Sequence, residues 1–360
     1  MKASHFVRTL STVALCTAVL SAPLAYADQN GQEKPQKLAV DEVSGDLSVM
    51  VLGSGGPMAT ASGRASAGYL IFLDGKPRIL MDIGGGAYQR LAASGANIKD
   101  LDIVLLSHLH IDHTGDLSAA VKTIYFHNKS AGTYRTAPIR IFGPGANGVT
   151  FPNTQITQYP GSSEYVHNHY DMPAGVERYL NAFAPAISGG DFKYTATDVS
   201  PAIASAGLPP PVQEIVNENG LVIKAIGVFH GPVPALGFRI DYKGKSIAYS
   251  GDTNSKTNNM ITLSEGANML IYDTAITDTM PDISVNPKDA LFYQLHTTPS
   301  RMGVVARQAH AQTLVLSHLT PITEPRLDEV KTLIRAQGYT GKIKTAKDLK
   351  VYNLPDSSDM

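Results

Sequence analysis

Short apolar runs closed by glycine or proline alternate along the chain with stretches whose apolar residues recur every three or four positions. The run Leu47–Pro57 (LSVMVLGSGGP) predicts a strand entering a glycine turn. Gly68–Gly86 predicts a hairpin turned at Asp74-Gly75, and Ala87–Gly95 a helix stopped by its glycine. Leu101–His108 is continuously apolar, as in a strand buried on both faces, and Asp116–Asn128 has helical spacing. Ala137–Pro144 reads as another strand. From Leu221 the pattern repeats: a strand to His230, a hairpin over Ala235–Asp252 turned at Lys243-Gly244, and a strand over Asn268–Ile276. A helix over Pro299–Ala311, a strand over Thr313–Leu319 and an amphipathic helix over Glu324–Gly338 complete it. Between the halves, residues 145–211 are rich in Pro, Gly, Asn and Tyr, with one helical piece at Pro173–Ala186, and read as a cap-like insertion. Hairpins in each half, with helices after the buried strands, predict an α/β fold of two packed mixed sheets with helices outside.

The N-terminus has a different pattern. Lys2 and Arg8 precede a short apolar stretch ending in Ala25-Tyr26-Ala27, which predicts a cleaved signal peptide over residues 1–27 and a periplasmic or secreted protein. Residues 28–45 are polar and aperiodic, a flexible lead-in to a domain over 46–360. The single cysteine, Cys16, lies in the signal, so the mature chain has no thiol chemistry and no cysteine ligand. No stable membrane insertion is expected after cleavage, and the sequence leaves the oligomeric state unknown. The formal net charge of -1 gives no basic excess for a phosphate backbone. The GSGGP turn lacks the sixth-position glycine of a dinucleotide fingerprint, Met58 standing there, and no Gly-Lys-Ser/Thr follows it. It reads as a tight turn, and Asp82, before Gly84-Gly85-Gly86, either carries charge in a site or caps the following helix, the capping reading being favoured.

Three of the eleven histidines fall within six positions, in Ser107-His108-Leu109-His110-Ile111-Asp112-His113. They follow a buried strand, at the kind of strand end where α/β sites assemble. Imidazole nitrogens suit zinc, and a carboxylate completes the shell. Three more apolar strands end in one such residue each: His230, Asp252 and His318. His167 and His169 in the insertion could form a further metal site, but spacing alone is weak ground for it, and a surface or substrate-facing role is the favoured reading.

HLHIDH, then His230, then Ser250-Gly251-Asp252-Thr253, then Ser317-His318-Leu319-Thr320-Pro321, together resemble the metallo-β-lactamase superfamily. LGSGGP, the Ala235–Asp252 hairpin and Leu295-His296-Thr297-Thr298-Pro299 are similar to its ribonuclease Z branch and to secreted arylsulfatase-like relatives. The resemblance implies a four-layer αββα sandwich and two zinc ions per chain, with manganese or iron not excluded. His108, His110 and His230 would hold one ion, Asp112, His113 and His318 the other, and Asp252 would bridge them. Asp112 would also orient the attacking hydroxide. His296 would assist departure of the leaving group, and Asp273, where that branch usually carries glutamate, would orient His296.

The long arm of tRNA processors in that branch has no room between His230 and Asp252. The expectation is therefore a hydrolase of a small sulfate ester or phosphodiester, with a small-molecule partner and no nucleic acid. Lactone or β-lactam opening on the same metals is the alternative, and a non-catalytic metal-binding protein of the same fold a further one.

Overall fold

The computed structural model describes residues 37–130, 137–150, 158–171, 175, 193–203, 211–279 and 287–354. The predicted signal segment lies outside the described residues, as does nearly all of the helix expected at 173–186. No helix among the described residues is long and apolar enough to cross a membrane.

Two seven-stranded sheets form the centre. In chain order the strands are β1 (Leu47–Gly53), β2 (Gly68–Leu73), β3 (Lys76–Ile83), β4 (Ile103–Leu105), β5 (Ile139–Pro144), β6 (Tyr194–Val199) and β7 (Gln213–Glu218). They continue with β8 (Leu221–Gly227), β9 (Leu236–Tyr242), β10 (Lys245–Tyr249), β11 (Met269–Asp273), β12 (Thr313–Ser317), β13 (Lys342–Thr345) and β14 (Val351–Asn353). The sheet orders are β14-β1-β2-β3-β4-β5-β6 and β13-β12-β11-β10-β9-β8-β7. Each sheet is mixed: hairpins on one side, and parallel strands from β3 to β6 and from β10 to β13 on the other.

The apolar runs are strands buried on both faces. Val49 and Val51 join the core between the sheets, where Phe238, Ile271 and Val315 of the second sheet meet them. Met50 and Leu52 point the other way, into a second core under the helices Ala87–Ala93, Leu117–Ser130 and Ser162–Tyr170. Leu314 and Leu316 likewise face a third core, under Pro299–Gln308 and Leu327–Ala336. Four layers result, αββα, because each sheet has two apolar faces to cover.

Two segments differ from expectation. The insertion contributes to the sheet: β6 pairs in parallel with β5, and helix Ser162–Tyr170 buries Val166 and Tyr170 in the second core. β6 is exposed along much of its length, as an edge strand is, and so carries no apolar run to reveal it. The end of the lead-in is ordered as well. Ala39–Glu42 forms a 3-10 turn, with the Val40 amide donating to the Ser94 carbonyl at 3.0 Å.

The parallel strands and β8 deliver the chemistry. β3 ends beside Asp82, β4 leads to His108, β8 to His230, β10 to Asp252, β11 ends at Asp273, and β12 leads to His318.

Candidate metal centre

Backbone geometry first brings the strand ends together. Asp82 and His318 take φ of 51° and 58°, the left-handed region, which costs a non-glycine residue roughly 1–3 kcal/mol. The GSGGP turn lies against the second of these bends. The Gly56 amide donates to the Leu319 carbonyl at 3.0 Å, and the Leu319 amide to the Ser54 carbonyl at 2.9 Å. A Cβ on Gly56 would sit 2.8 Å from the His318 ring, so only glycine fits under that imidazole. The turn expected as simple punctuation is therefore the support of a site residue.

The imidazoles are fixed from behind. Asp82 is fully buried and does not cap a helix: Gly86 occupies that cap, with no side-chain bond. Its Oδ2 instead accepts from His113 Nδ1 at 2.7 Å, Ser107 Oγ at 2.7 Å and Tyr249 OH at 2.9 Å, and its Oδ1 from the Ser107 amide at 2.7 Å. With its proton committed to Asp82, Ser107 Oγ is free to accept from His108 Nδ1, 3.1 Å away. His230 Nδ1 donates to the Leu295 carbonyl at 3.1 Å. Each anchored ring turns its Nε2 inward, the arrangement that outer partners impose on metal-binding histidines.

Two sets of donors converge. His108 Nε2 and His230 Nε2 lie 2.9 and 3.3 Å from His110 Nδ1. His113 Nε2 lies 3.2 Å from His318 Nε2, and His318 Nε2 lies 3.2 Å from Asp112 Oδ2. Asp252 stands between the sets: Oδ1 is 3.3 Å from both His113 and His318 Nε2, and Oδ2 is 3.8 Å from both His108 and His230 Nε2. The seven residues expected as ligands thus fall into two adjoining groups that could each hold an ion, His108, His110 and His230 in one and Asp112, His113, Asp252 and His318 in the other, and Asp252, Asp273, His296 and His318 make a third.

Chemistry says that the cluster suits cations. Nε2 of His113 and of His318 face each other, so with both rings protonated two N–H groups oppose. One proton on His110 Nδ1 can serve only one of its two neighbours. Asp252 Oδ1 is buried without a hydrogen-bond partner, a costly state for a carboxylate oxygen. Divalent cations held by these donors would relieve such conflicts.

Charge follows the same division. Burial lowers His108 well below the ordinary imidazole value, with His113 adding to the effect, and takes His230 down to about 4. Burial also opposes the charged form of His113 and His318, but carboxylates outweigh it. Asp252, Asp112 and Asp82 raise His113 well above 6.5, and Asp252, Asp112 and Asp273 raise His318 to about 10. Burial likewise works against an ionised Asp252, yet His318 and His113 hold it well below the usual carboxylate range. The carboxylates thus favour the protonated form of both rings in the metal-free protein, and ligation must displace those protons. Metal binding should therefore release protons at pH 7.5, and fewer as pH rises through about 10, where His318 loses its proton anyway. Calorimetry in two buffers of different ionisation enthalpy measures this, and a release near zero contradicts the assignment of His113 and His318.

His296 and Asp273 lie beside the cluster. Asp273 Oδ2 accepts from His296 Nδ1 at 2.7 Å, and its Oδ1 is 3.3 Å from His318 Nδ1. His296 sits between two helices. Thr298 caps the second, with Pro299 at its first position, and Thr297 Oγ1 donates to the Thr253 carbonyl at 2.5 Å, next to Asp252. A pocket of about 400 Å³ opens over His110, Asp112, His230, Asp252 and His296, with Met58 and Phe292 among its walls.

His167 and His169 are elsewhere. His167 is exposed and pairs with Asp171 at 2.8 Å, while His169 stacks on Tyr165 and contacts Ser118. The residues that sequence reasoning missed are Ser107 and the pocket walls, and Asp82 was weighed toward helix capping instead of the site. Asp82 carried the signal that flagged Asp252, an acid at the end of an apolar strand.

Comparison with known proteins bears on the chemistry. Residues 62–140 match the Metallo-beta-lactamase superfamily and residues 165–319 the Beta-lactamase superfamily domain. A ribonuclease Z of Mycobacterium bovis (strain BCG / Pasteur 1173P2) is 29% identical over 312 residues, 84% of this chain and 96% of that protein. The human tRNase Z, short form, aligns with a TM-score of 0.57 at 19% identity, over 86% of this chain and all 100% of its own. A diphosphatase from the PhnP family aligns at 0.55 and 18% identity, over 85% of this chain and 97% of its own. These findings overturn the expectation of a small-molecule partner and no nucleic acid, since relatives spanning most of the chain are named as ribonucleases. A net charge near zero was weak ground for that exclusion, because it averages over the whole surface and says nothing of a local site.

Proposed function

The chain belongs to the metallo-beta-lactamase superfamily, in its ribonuclease Z-like branch, and from that premise we propose a metal-dependent phosphodiesterase that cleaves an RNA backbone. His108, His110 and His230 would hold one zinc ion, Asp112, His113 and His318 a second, and Asp252 would face both. When bound, such a pair supplies Lewis acidity and a water acidified toward neutral pH.

The observation that carries the reading is the His296–Asp273 pair. Asp273 occupies His296 Nδ1, which leaves Nε2 for the pocket that the ring lines. From there it can protonate the oxygen that leaves phosphorus, a ribose oxygen too basic to depart unaided. Asp273 holds the ring in that tautomer and balances its charge when it is protonated, as an acid behind a catalytic imidazole does. Asp112 is held by His318 and lines the same pocket, placed to orient the attacking water.

The test is parallel turnover by the zinc-loaded protein on a single-stranded RNA, bis(p-nitrophenyl) phosphate, p-nitrophenyl sulfate and a lactone. Cleavage of the RNA and the phosphodiester supports the reading. Turnover of the sulfate alone or the lactone alone overturns it, and a metal-replete protein inert on all four is a binding protein.

A further inference from the structure

Apolar side chains that stay in water are few here, and they are not scattered. Of the seven large ones exposed among the described residues, four stand on segments that bear the site, Met58, Ile111, Phe229 and Leu291, and of these Met58 lines the pocket while Phe229 lines a separate cavity. Ile111 lies between His110 and Asp112 and is 81% exposed. Met58 follows the turn under His318, Phe229 precedes His230, and Leu291 is on the helix that ends just before His296. The pocket walls continue the theme with Pro57, Phe292, Leu295 and Ile322, and no lysine or arginine is among the described lining residues. The Phe292 ring centroid lies 4.4 Å from that of His296.

The charge pattern is lopsided. The floor gathers every group that can take an anion or a metal, and the walls offer none. An occupant must bring one anionic group to the floor and flat, uncharged bulk to the walls, within about 400 Å³. A backbone-tracking groove is built differently, with a cation for each phosphate. We infer that the apolar collar receives an unpaired nucleobase beside the scissile phosphate, Phe292 and Met58 forming its stacking walls. The site thus selects single-stranded RNA by its bases rather than its backbone. This rests on the ribonuclease reading above and names the feature of the RNA that is recognised.

The experiment compares short single-stranded RNAs, intact or with one abasic nucleotide on either side of the cleaved bond, using zinc-loaded wild-type protein and Phe292→Ala. Methyl p-nitrophenyl phosphate serves as a substrate without a base. Stacking contributes about 1–3 kcal/mol per base, so removing the right base should raise KM roughly 5- to 150-fold. Phe292→Ala should raise KM on intact RNA by a similar factor, and the two changes together should cost little more than either alone. KM should move little between 50 and 200 mM salt, unlike a protein that neutralises several phosphates. Equal KM for intact and abasic RNA at both positions, or a steep salt dependence, overturns the inference and leaves the ribonuclease reading standing. Cleavage of methyl p-nitrophenyl phosphate with no RNA cut at all overturns the ribonuclease reading, and this inference with it.

Discussion

Asp252→Ala should abolish turnover, by roughly 10⁴-fold in kcat/KM, or about 5.5 kcal/mol of lost transition-state stabilisation. The Asp252 carboxylate stands between the two histidine sets. Its Oδ1 stands 3.3 Å from His113 and His318, and its Oδ2 3.8 Å from His108 and His230. Without it, three histidines remain on one side, and two histidines with Asp112 on the other. The positive charge that each set must gather then loses its shared counter-charge, in a place with little water to replace it. On the proposed two-ion site, metal content by mass spectrometry should fall to one ion per chain or fewer, since Asp252 would face both ions. Far-UV circular dichroism should stay unchanged, because the sheets close around cores that Asp252 does not join. A variant with full metal and full turnover would sink the assignment of the site.

His296→Ala is expected to act through a different route. Metal content should stay at the wild-type level, since none of the three residues in either proposed ion-binding set is His296. Turnover of RNA should fall by about 10²- to 10⁴-fold, the range for a lost general acid. Turnover of bis(p-nitrophenyl) phosphate should fall by less than about tenfold, because p-nitrophenolate leaves without a proton. His296 is a cleaner probe than its partner. Asp273 lies 2.7 Å from His296 but also 3.3 Å from His318, so removing it disturbs the ion-binding cluster and the acid together. An equal loss on both substrates would show that His296 positions the phosphate instead of protonating the departing oxygen.

Much of this was readable from the chain, for a physical reason. Strands buried on both faces appear as unbroken apolar runs, and a lone His or Asp at the end of such a run stands out. His108, His230, Asp252 and His318 were visible on that account. The edge strands were not. β13 reads Lys-Ile-Lys-Thr, half exposed, and β14 is three residues long, so neither offers an apolar run. β6 was hidden in the same way within a stretch rich in loop residues. Asp82 was misread because an acid before glycines is equally good as a helix cap. Only the fold shows that Ser107, His113 and Tyr249 converge on it. The collar was invisible for another reason: Met58, Ile111 and Phe292 come from three distant segments, and nothing local marks them as neighbours.

The pairing of β1 with β14 carries a consequence for how the protein comes into being. Ser48 lies opposite Asn353, and Met50 opposite Val351. The strand that closes that edge is thus the last one among the described residues. A nascent polypeptide can form its hairpins early, yet β1 keeps an open flank until β14 has been made, and such flanks recruit other strands. The amide of Val51 waits for the carbonyl of Lys350, and the amide of Leu349 for the carbonyl of Val51. Closure of the first sheet therefore waits for the segment 349–353, and a chain that lacked it would keep every metal-site residue but present an adhesive border.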